Sequence, residues 1–284
     1  MRILLTGSAG FTGHHFRSRA EAAGHLVMPL AANLTDKPAV VAELAFAAPD
    51  AVVHLAAISF VGHADDSAFY AVNVVGTMNL LGALATLPVK PTKVLIASSA
   101  NIYGNSEASP LSEETPPSPV NHYATSKLAM EHMALTHADT LPMVLVRPFN
   151  YTGPGQAAQF LIPKLVDHFA RKADRIELGN LHVEREFNDV RMVCEAYLTL
   201  LEKGLPGETY NVCTGHTHSL RGVIDRLERL TGHQMAVTVN PAFVRANEVH
   251  RLCGSPAKLL SCVGQLAPYT LDDTLQSMLD AAAP

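Results

Sequence analysis

Short apolar, β-branched runs alternate with longer amphipathic stretches in the first half of the chain, a pattern that predicts βαβ units and a parallel sheet. The predicted strands cover residues 2–6, 25–30, 51–56, 93–98 and 143–147, with a sixth at 208–213 that returns to the same sheet. Helical spacing is found between them at residues 13–23, 37–47, 67–87 and 123–139. We therefore predict the α/β class, with a doubly wound parallel sheet covered by helices on both faces.

The pattern changes after Arg147, where strands and helices stop alternating regularly. Proline and glycine are frequent in the segment that follows, as at Pro148, Gly153 and Pro163. A chain of 284 residues also exceeds what one hydrophobic core usually organises. We predict a larger domain of residues 1–150 plus 186–214, and a smaller α/β lobe of residues 151–185 plus 215–284.

Composition excludes several classes of protein. Lys and Arg number 21 against 26 Asp and Glu, a formal net charge of −5, whereas nucleic-acid-binding proteins carry a basic excess. A chain that is 48% hydrophobic is not disordered, and no uninterrupted apolar run reaches the ~18 to 20 residues of a membrane helix. The 4 cysteines form no CxxC pair, which predicts reduced packing residues. We predict a globular cytoplasmic protein that binds neither nucleic acid nor membrane.

The first predicted strand runs into the sequence TGSAGFTG, which also opens a helix. In such a turn Gly7 permits a tight bend, Gly10 lets backbone amides approach a pyrophosphate, and Gly13 allows the helix to pack closely on the strand. The positive end of the helix then attracts the anion. A dinucleotide site is favoured over a purely structural turn.

The residues after the second predicted strand leave the choice between NAD and NADP open. An acid about 20 residues beyond the glycine turn usually binds the ribose 2′-hydroxyl, but residues 29–32 read PLAA, without acid or arginine. Asn33 and Asp36 follow directly. Each is as well suited to contacting an adenine edge as to forming a turn.

Tyr123 and Lys127 are four residues apart on a predicted helix, so they lie on one face, about 6 Å apart at Cβ. A free tyrosine titrates near ~10 and needs a nearby cation to exchange protons at neutral pH. Lys127 can supply that charge and can hold a cofactor ribose. Downstream of a dinucleotide turn, we favour a proton-transfer pair over an amphipathic surface pair.

The fourth predicted strand ends in two serines at the sheet edge where doubly wound folds bind ligands. Ser99 can donate a hydrogen bond to a substrate oxygen, unless both serines only cap the following turn. Asn73 is a polar residue in an apolar helix. Its amide could orient Lys127 through a carbonyl or a water, and it could equally be a satisfied core amide.

With these residues in place, the chain resembles the extended short-chain dehydrogenases/reductases, in the group of nucleotide-sugar epimerases, dehydratases and reductases. The matching segments span nearly the whole chain: TGSAGFTG, VVHLAA (52–57), NVVGTMNLL (73–81), SSANIYG (98–104), YATSK (123–127), RPFNYTGPGQ (147–156), REFNDV (185–190) and YNVCTG (210–215). Residues 147–156, 210–215 and 240–255 are most similar to members that reduce GDP-linked 4-keto-6-deoxy sugars. The resemblance implies a Rossmann domain for NAD(P) and a smaller lobe for the nucleotide sugar.

The resemblance also implies roles for individual residues. Tyr123 would protonate the carbonyl oxygen as hydride arrives, Lys127 would be its partner and ribose ligand, and Ser99 would be the second donor to that oxygen. The implied cofactor contacts are Gly7, Ala9, Gly10, Phe11, Gly13, Asn33, Leu55, Ala56, Ala57, Asn73, Tyr123 and Lys127. The implied substrate contacts are Ser99, Asn101, Asn150, Arg185, Arg245 and Glu248. For Arg185 and Arg245 an ordinary ion pair is the alternative, and for Glu248 a binding and a non-binding role are about equally favoured.

Two further expectations follow from the family. Its members pair the helices at 67–87 and 123–139 in a four-helix bundle between two subunits, so we expect a homodimer. The 14 histidines show no ligand spacing, so no metal is expected.

The family hosts several reactions, which the sequence separates only in part. Its 4,6-dehydratases follow the serine or threonine with Asp-Glu, and this chain has Ala100 and Asn101 there, which disfavours dehydration. A 4-ketoreductase using NAD(P)H is the first hypothesis. A 4-epimerase with tightly bound NAD uses the same residues and stays open, and a non-catalytic dinucleotide sensor is a remote third.

Overall fold

The structure, a computed structural model, describes residues 1–243 and 249–282. Its strands are β1 (Arg2–Thr6), β2 (Leu26–Pro29), β3 (Ala51–His54), β4 (Lys93–Ala97), β5 (Met143–Pro148), β6 (Tyr151–Thr152), β7 (Arg175–Leu178), β8 (Glu184–Arg185), β9 (Asn188–Asp189), β10 (Thr209–Val212), β11 (His218–Ser219), β12 (Ala236–Val239) and β13 (Arg251–Leu252). Its α-helices are α1 (Phe11–Ala22), α2 (Lys37–Ala47), α3 (Asp66–Tyr70), α4 (Thr77–Thr86), α5 (His122–Leu135), α6 (Leu161–Ala170), α7 (Val190–Lys203), α8 (Leu220–Thr231), α9 (Ala257–Val263) and α10 (Leu271–Ala282). A π-helical turn (Ala71–Gly76) and a 3-10 turn (Ala100–Tyr103) complete the elements used below.

Six parallel strands form the central sheet in the order β10-β5-β4-β3-β1-β2. The predicted fold class is confirmed, and so is the return of the late strand, since β10 pairs with β5. The order reverses beside β1, so the carboxyl ends of β1, β3 and β4 border one crevice.

Several predicted bounds differ from the structure by one to four residues. β3 ends at His54 and not at residue 56, because the next residues leave the ladder and Ala56 N–H donates to Thr6 Oγ1 at 3.1 Å. α1 begins at Phe11 and not at Gly13. α5 ends at Leu135, where backbone turns replace the predicted last turn.

Alternate residues of the strands face two separate cores. Leu5, Val53 and Leu95 point to the side covered by α1 and α7. Their neighbours in sequence point to the opposite side, which is covered by α2, α4 and α5. Burial on both faces explains why these strands read as continuous apolar runs.

The predicted helix at residues 67–87 is a single helical rod composed of α3, the π-helical turn and α4. Over Asp66–Thr86 it has the length and mean hydropathy of a membrane span, although no uninterrupted apolar run predicted one. Half of its most apolar window is buried within the protein, and it packs against α2 and α5. We therefore interpret it as a core helix.

A third apolar core joins α6, α8 and α10 to the small sheet of β7 and β12. Glu186 connects two loops near this core. Its buried carboxylate accepts hydrogen bonds from the backbone amides of Thr214, Gly215 and Gly254. α9 lies in the range predicted for the smaller lobe, yet Leu259 packs against the core beneath α7. The division into two domains stays a prediction.

Candidate active site

The glycine turn has the close backbone contacts that its sequence predicts. Gly7 adopts φ +70, and a Cβ there would lie 2.7 Å from the Ala56 nitrogen. A Cβ on Gly13 would lie 2.2 Å from the Gly7 carbonyl oxygen, so helix and turn can be this close only with glycine. Gly10 precedes α1, and no side chain of the described residues caps this helix. The first-turn amides are therefore available to an anion, and the turn fits a dinucleotide pyrophosphate.

The other predicted cofactor contacts surround this turn. Phe11 stacks on Tyr151 at 6.1 Å between ring centroids. Leu55 and Ala56 form the loop after β3 that faces Gly7, and Ala57 continues it. Ala9 is exposed at the tip of the turn. These residues are brought together, and their role as cofactor contacts stays a prediction.

A buried polar relay behind the turn was missed by sequence analysis. His54 is fully buried between two hydroxyls, with Nδ1 2.7 Å from Thr6 Oγ1 and Nε2 2.8 Å from Thr77 Oγ1. Thr77 donates its proton to the Asn73 carbonyl, so it accepts from Nε2–H of His54. Burial and the nearby Lys127 lower the pKa of His54 to about 3, which keeps the ring neutral. The only signal in the sequence is a histidine at the end of an apolar strand.

The side-chain amide of Asn73 is hydrogen-bonded to Ile58 and Ser126, and an indirect contact with Lys127 through a carbonyl or a water stays a prediction. Its Nδ2 donates to Ser126 Oγ at 3.0 Å and to the Ile58 carbonyl at 3.2 Å, and its Oδ1 accepts from Ile58 N–H at 2.9 Å. Ser126 in turn donates to the Tyr123 carbonyl. Asn73 is thus a satisfied amide that holds the start of α5, and the relay connects the glycine turn to this helix.

Tyr123 and Ser99 lie near each other at the carboxyl edge of the sheet, where Ser99 opposes the rise that burial causes in the pKa of Tyr123. Asn101 donates to Ser99 Oγ from both its backbone N–H (3.2 Å) and its side-chain amide (3.1 Å). Because these two donors bind the lone pairs of Ser99 Oγ, the hydroxyl proton of Ser99 can be donated to another acceptor. Ser99 therefore caps the turn with its oxygen, and its proton can be donated to an oxygen that lies beside Tyr123.

Lys127 is buried one helical turn below Tyr123 and donates to the Ala97 carbonyl at 2.7 Å. Burial lowers the pKa of Lys127 to about 8, while Glu131 opposes that shift. The expected lowering of the tyrosine pKa is not found, since burial raises the pKa of Tyr123 and only Ser99 opposes it. The pair thus combines a protonated phenol with an ammonium group close to its titration range.

An ion pair that the sequence did not reveal lies one further turn along α5. The guanidinium of Arg147 binds both carboxylate oxygens of Glu131, at 3.0 Å and 2.7 Å. Arg147 also donates to Tyr103 Oη, which donates to Asn211 Oδ1. The network fixes the carboxylate that stabilises the Lys127 ammonium and joins β5, α5 and β10.

The segment after β5 covers the start of α1. Tyr151 Oη is hydrogen-bonded to Thr12 Oγ1 at 2.8 Å, and His15 Nε2 is 2.8 Å from the Pro154 carbonyl oxygen.

Among the described residues, the buried hydroxyls of Ser98 and Tyr197 have no hydrogen-bond partner. Burial raises the pKa of Tyr197 well above its usual value.

The predicted substrate contacts are placed less completely. Asn150 is exposed directly after β5, with its carbonyl held by Asn188. Arg185 lies in β8 and donates to the carbonyls of Glu184 and Val249. Arg245 and Glu248 lie outside the described residues.

Asn33 and Asp36, which come after residues 29–32, both form turns. Asn33 Oδ1 accepts from the backbone and hydroxyl of Thr35, and Asp36 caps α2 by accepting from Ala39 N–H at 3.1 Å. An adenine contact through the remaining amide of Asn33 stays a prediction.

Comparisons with known proteins agree with this geometry. A family described as GDP-mannose 4,6 dehydratase matches residues 15–278. The chain is 39% identical to GDP-6-deoxy-D-talose 4-dehydrogenase of Aggregatibacter actinomycetemcomitans, over 95% of this chain and 94% of that one. It is 36% identical to GDP-6-deoxy-D-mannose reductase of Pseudomonas aeruginosa, over 98% and 96%.

Two solved structures superpose closely. RMD from Pseudomonas aeruginosa, complexed with NADPH, has a TM-score of 0.92 at 34% identity and covers 99% of this chain and 98% of that one. A protein from Burkholderia cenocepacia J2315, provisionally assigned as an epimerase, has a TM-score of 0.92 at 49% identity over 99% and 97%.

Proposed function

This chain belongs to the GDP-mannose 4,6-dehydratase family, and from that premise we propose that it is an NAD(P)-dependent reductase of the C4 carbonyl of a GDP-linked 4-keto-6-deoxy sugar. Two relatives that cover nearly the whole chain carry the names of a GDP-6-deoxy-sugar dehydrogenase and a GDP-6-deoxy-sugar reductase. Both names describe interconversion of a hydroxyl and a carbonyl on a GDP-linked sugar.

The placement of Tyr123 and Lys127 on one face of α5, near Ser99 at the carboxyl end of β4, carries the proposal. A carbonyl that receives hydride needs a proton on its oxygen, and a phenol whose pKa is raised by burial holds that proton at neutral pH. Ser99 can then donate to the same oxygen as negative charge develops there. In well-studied oxyanion sites one such donor contributes roughly 3 to 4 kcal/mol.

The glycine turn and Lys127 would hold the cofactor, with the amides at the start of α1 on the pyrophosphate and the ammonium on the nicotinamide ribose. When bound, reduced NAD(P) supplies the hydride. The Lys127 ammonium also stabilises the phenolate that remains when Tyr123 gives up its proton. Leu55, Ala56 and Ala57 would complete the wall beside the glycine turn.

Reduction is favoured over dehydration, despite the family description, because the positions after Ser99 cannot exchange protons. Ala100 is fully buried, and the Asn101 amide is engaged with Ser99. Elimination across C5 and C6 needs an acid and a base at these places. The chain therefore keeps the fold of the family, but Ala100 and Asn101 replace the acid and the base that dehydration needs.

A substrate screen tests the proposal. The purified protein is mixed with NADH or NADPH and with GDP-, dTDP-, UDP- or CDP-linked 4-keto-6-deoxy sugars, and the loss of nicotinamide absorbance is recorded. We expect turnover with the GDP-linked sugar and little with the others. Absence of oxidation with every sugar would refute the proposal.

The rate of reduction should fall as pH rises through about 8, the pKa of Lys127. The ammonium is present below that pH and is lost above it, whereas the raised pKa of Tyr123 keeps the phenol protonated through the same range. Replacing Glu131 by Gln removes the carboxylate that favours the ammonium, so the fall should move to lower pH. Lys127→Arg should move it upward. A profile unchanged in both variants would exclude Lys127 as the titrating group.

Epimerisation is the second candidate, favoured by the assignment of the Burkholderia protein at 49% identity. A 4-epimerase keeps one NAD bound and returns the hydride to the opposite face, whereas a reductase releases oxidised cofactor at every turnover. Purified protein that retains stoichiometric NAD through gel filtration and interconverts two GDP-sugars without added cofactor would favour the epimerase.

The smaller lobe would bind the nucleotide sugar. We assign Asn101 and Asn150 to the sugar, Arg185 and Arg245 to the diphosphate, where a guanidinium fork matches phosphate oxygens, and Glu248 to the ribose. The same assignment makes residues 1–150 plus 186–214 the cofactor domain.

We propose a homodimer through the face formed by α3–α4 and α5. Val75 and Met78 of the helical rod and Leu135 of α5 are apolar residues that are exposed by 42%, 44% and 48%. Met78→Glu should convert the dimer to a 30.4 kDa monomer in light scattering. Leu205→Glu, on an apolar residue exposed elsewhere, is the control and should leave the dimer intact. A wild-type monomer at micromolar concentration would refute this proposal.

We place the protein in the cytoplasm. The described cysteines Cys194, Cys213, Cys253 and Cys262 are free, as reducing conditions require.

A further inference from the structure

The carboxyl end of β2 lies beside the glycine turn. β2 pairs with β1 so that Pro29 is opposite Leu5, and Leu30 N–H donates to the Leu5 carbonyl at 2.9 Å. The next two residues, Ala31 and Ala32, therefore leave the sheet next to the turn. In dinucleotide-binding folds this is where the adenosine ribose is recognised at its 2′ position.

A carboxylate from another element occupies this place. Glu43 projects from α2, and its Oε1 accepts from Ala31 N–H at 2.8 Å while its Oε2 accepts from Ala32 N–H at 2.7 Å. Glu43 is half-buried, and Ala31 is exposed. The acid that the sequence of β2 lacks is thus supplied from 11 or 12 residues further along the chain.

We propose that Glu43 selects NAD(H) against NADP(H), an inference that rests on the NAD(P) site of the proposed function. A ribose 2′-hydroxyl can donate to the lone pairs that remain on the carboxylate. A 2′-phosphate has no such proton at neutral pH and carries a like charge. The two amides that would otherwise bind it already donate to Glu43, so a 2′-phosphate meets repulsion without gaining donors.

The side chains around Glu43 also favour NAD(H) over NADP(H). Asp36 adds a second carboxylate at the start of α2, and the Asn33 oxygen is used by Thr35. Lys37 is the cation nearest in sequence and is exposed at the first residue of α2. If Lys37 bound a 2′-phosphate, its loss would weaken binding of the phosphorylated ribose, so Lys37→Gln tests this competing contact.

The test compares two fragments of the cofactor, 5′-ADP and 2′,5′-ADP, by calorimetry on the intact protein. We expect the wild type to bind 5′-ADP at least about tenfold more tightly. Glu43→Gln removes the charge and offers an amide donor, and should bring the two affinities to within about threefold. Glu21→Gln, the same substitution on exposed α1, should keep the wild-type ratio, as should Lys37→Gln. The ratio of kcat/KM for NADH to that for NADPH should follow the same order.

A wild type that binds 2′,5′-ADP as tightly as 5′-ADP would overturn the inference without any variant, so a misfolded Glu43→Gln protein cannot rescue it. An unchanged ratio in a folded Glu43→Gln protein would also overturn it. Neither result bears on the sugar reaction, because the fragments bind without turnover. Failure to bind either fragment would overturn both this inference and the dinucleotide site.

Discussion

Tyr123→Phe will lower kcat for reduction of the 4-keto sugar by about 10² to 10⁴-fold, the usual contribution of a positioned general acid. The substitution removes one hydroxyl from a buried ring that packs against Phe69, so the fold and the cofactor site should be retained. Steady-state rates with NAD(P)H as the reductant measure the effect. KM for the sugar should change much less than kcat, because the proton is transferred only in the transition state.

Tyr70→Phe is the matched control for this experiment. Tyr70 also lies on a helix and is hydrogen-bonded, but its partner is His122, and no hydrogen bond among the described residues joins Tyr70 to Ser99. Its loss should leave kcat within a factor of about two. A Tyr123→Phe protein that reduces the sugar at close to the wild-type rate would remove Tyr123 from the proton-transfer step.

Arg147→Met will lower the free energy of unfolding by about 3 to 5 kcal/mol, because it leaves the Glu131 carboxylate buried without its partner. The two side chains are only 9% and 5% exposed, so water cannot replace the guanidinium. Urea unfolding, with the m value shown to be unchanged, measures the loss.

Two further variants test whether the buried, unpaired Glu131 carboxylate causes this loss of stability. Arg17→Met breaks an exposed ion pair with Glu21, whose side chains are 49% and 45% exposed, and should cost about 0 to 1 kcal/mol. Replacing Arg147 by Met and Glu131 by Leu together should recover much of the loss, because no charge is then left buried. A loss below about 1 kcal/mol in Arg147→Met alone would mean that solvent reaches Glu131.

The parts of the fold that follow from sequence are those governed by local periodicity and by glycine geometry. Strands buried on both faces are continuous apolar runs, and the turn at Gly7, Gly10 and Gly13 has contacts that only glycine allows. The spacing of Tyr123 and Lys127 predicts that they share a helix face. These features depend on neighbours in sequence, which a single chain displays directly.

The features that sequence did not predict depend on partners distant in the chain. His54 is held by Thr6 and Thr77, and Arg147 pairs with Glu131, at separations that no local pattern encodes. Glu43 is the clearest case. Sequence shows only that an acid is missing after β2, and the fold brings one from α2 to the same place.

Tracing the transferred hydride with deuterium tests the central claim most directly. The protein is given one equivalent of NAD(P)H carrying deuterium on the transferred position, together with the GDP-linked 4-keto-6-deoxy sugar, and the product is examined by NMR. The account predicts one oxidised cofactor released for each sugar reduced, with deuterium at C4. No net oxidation of the cofactor, or a sugar product without deuterium at C4, would contradict it.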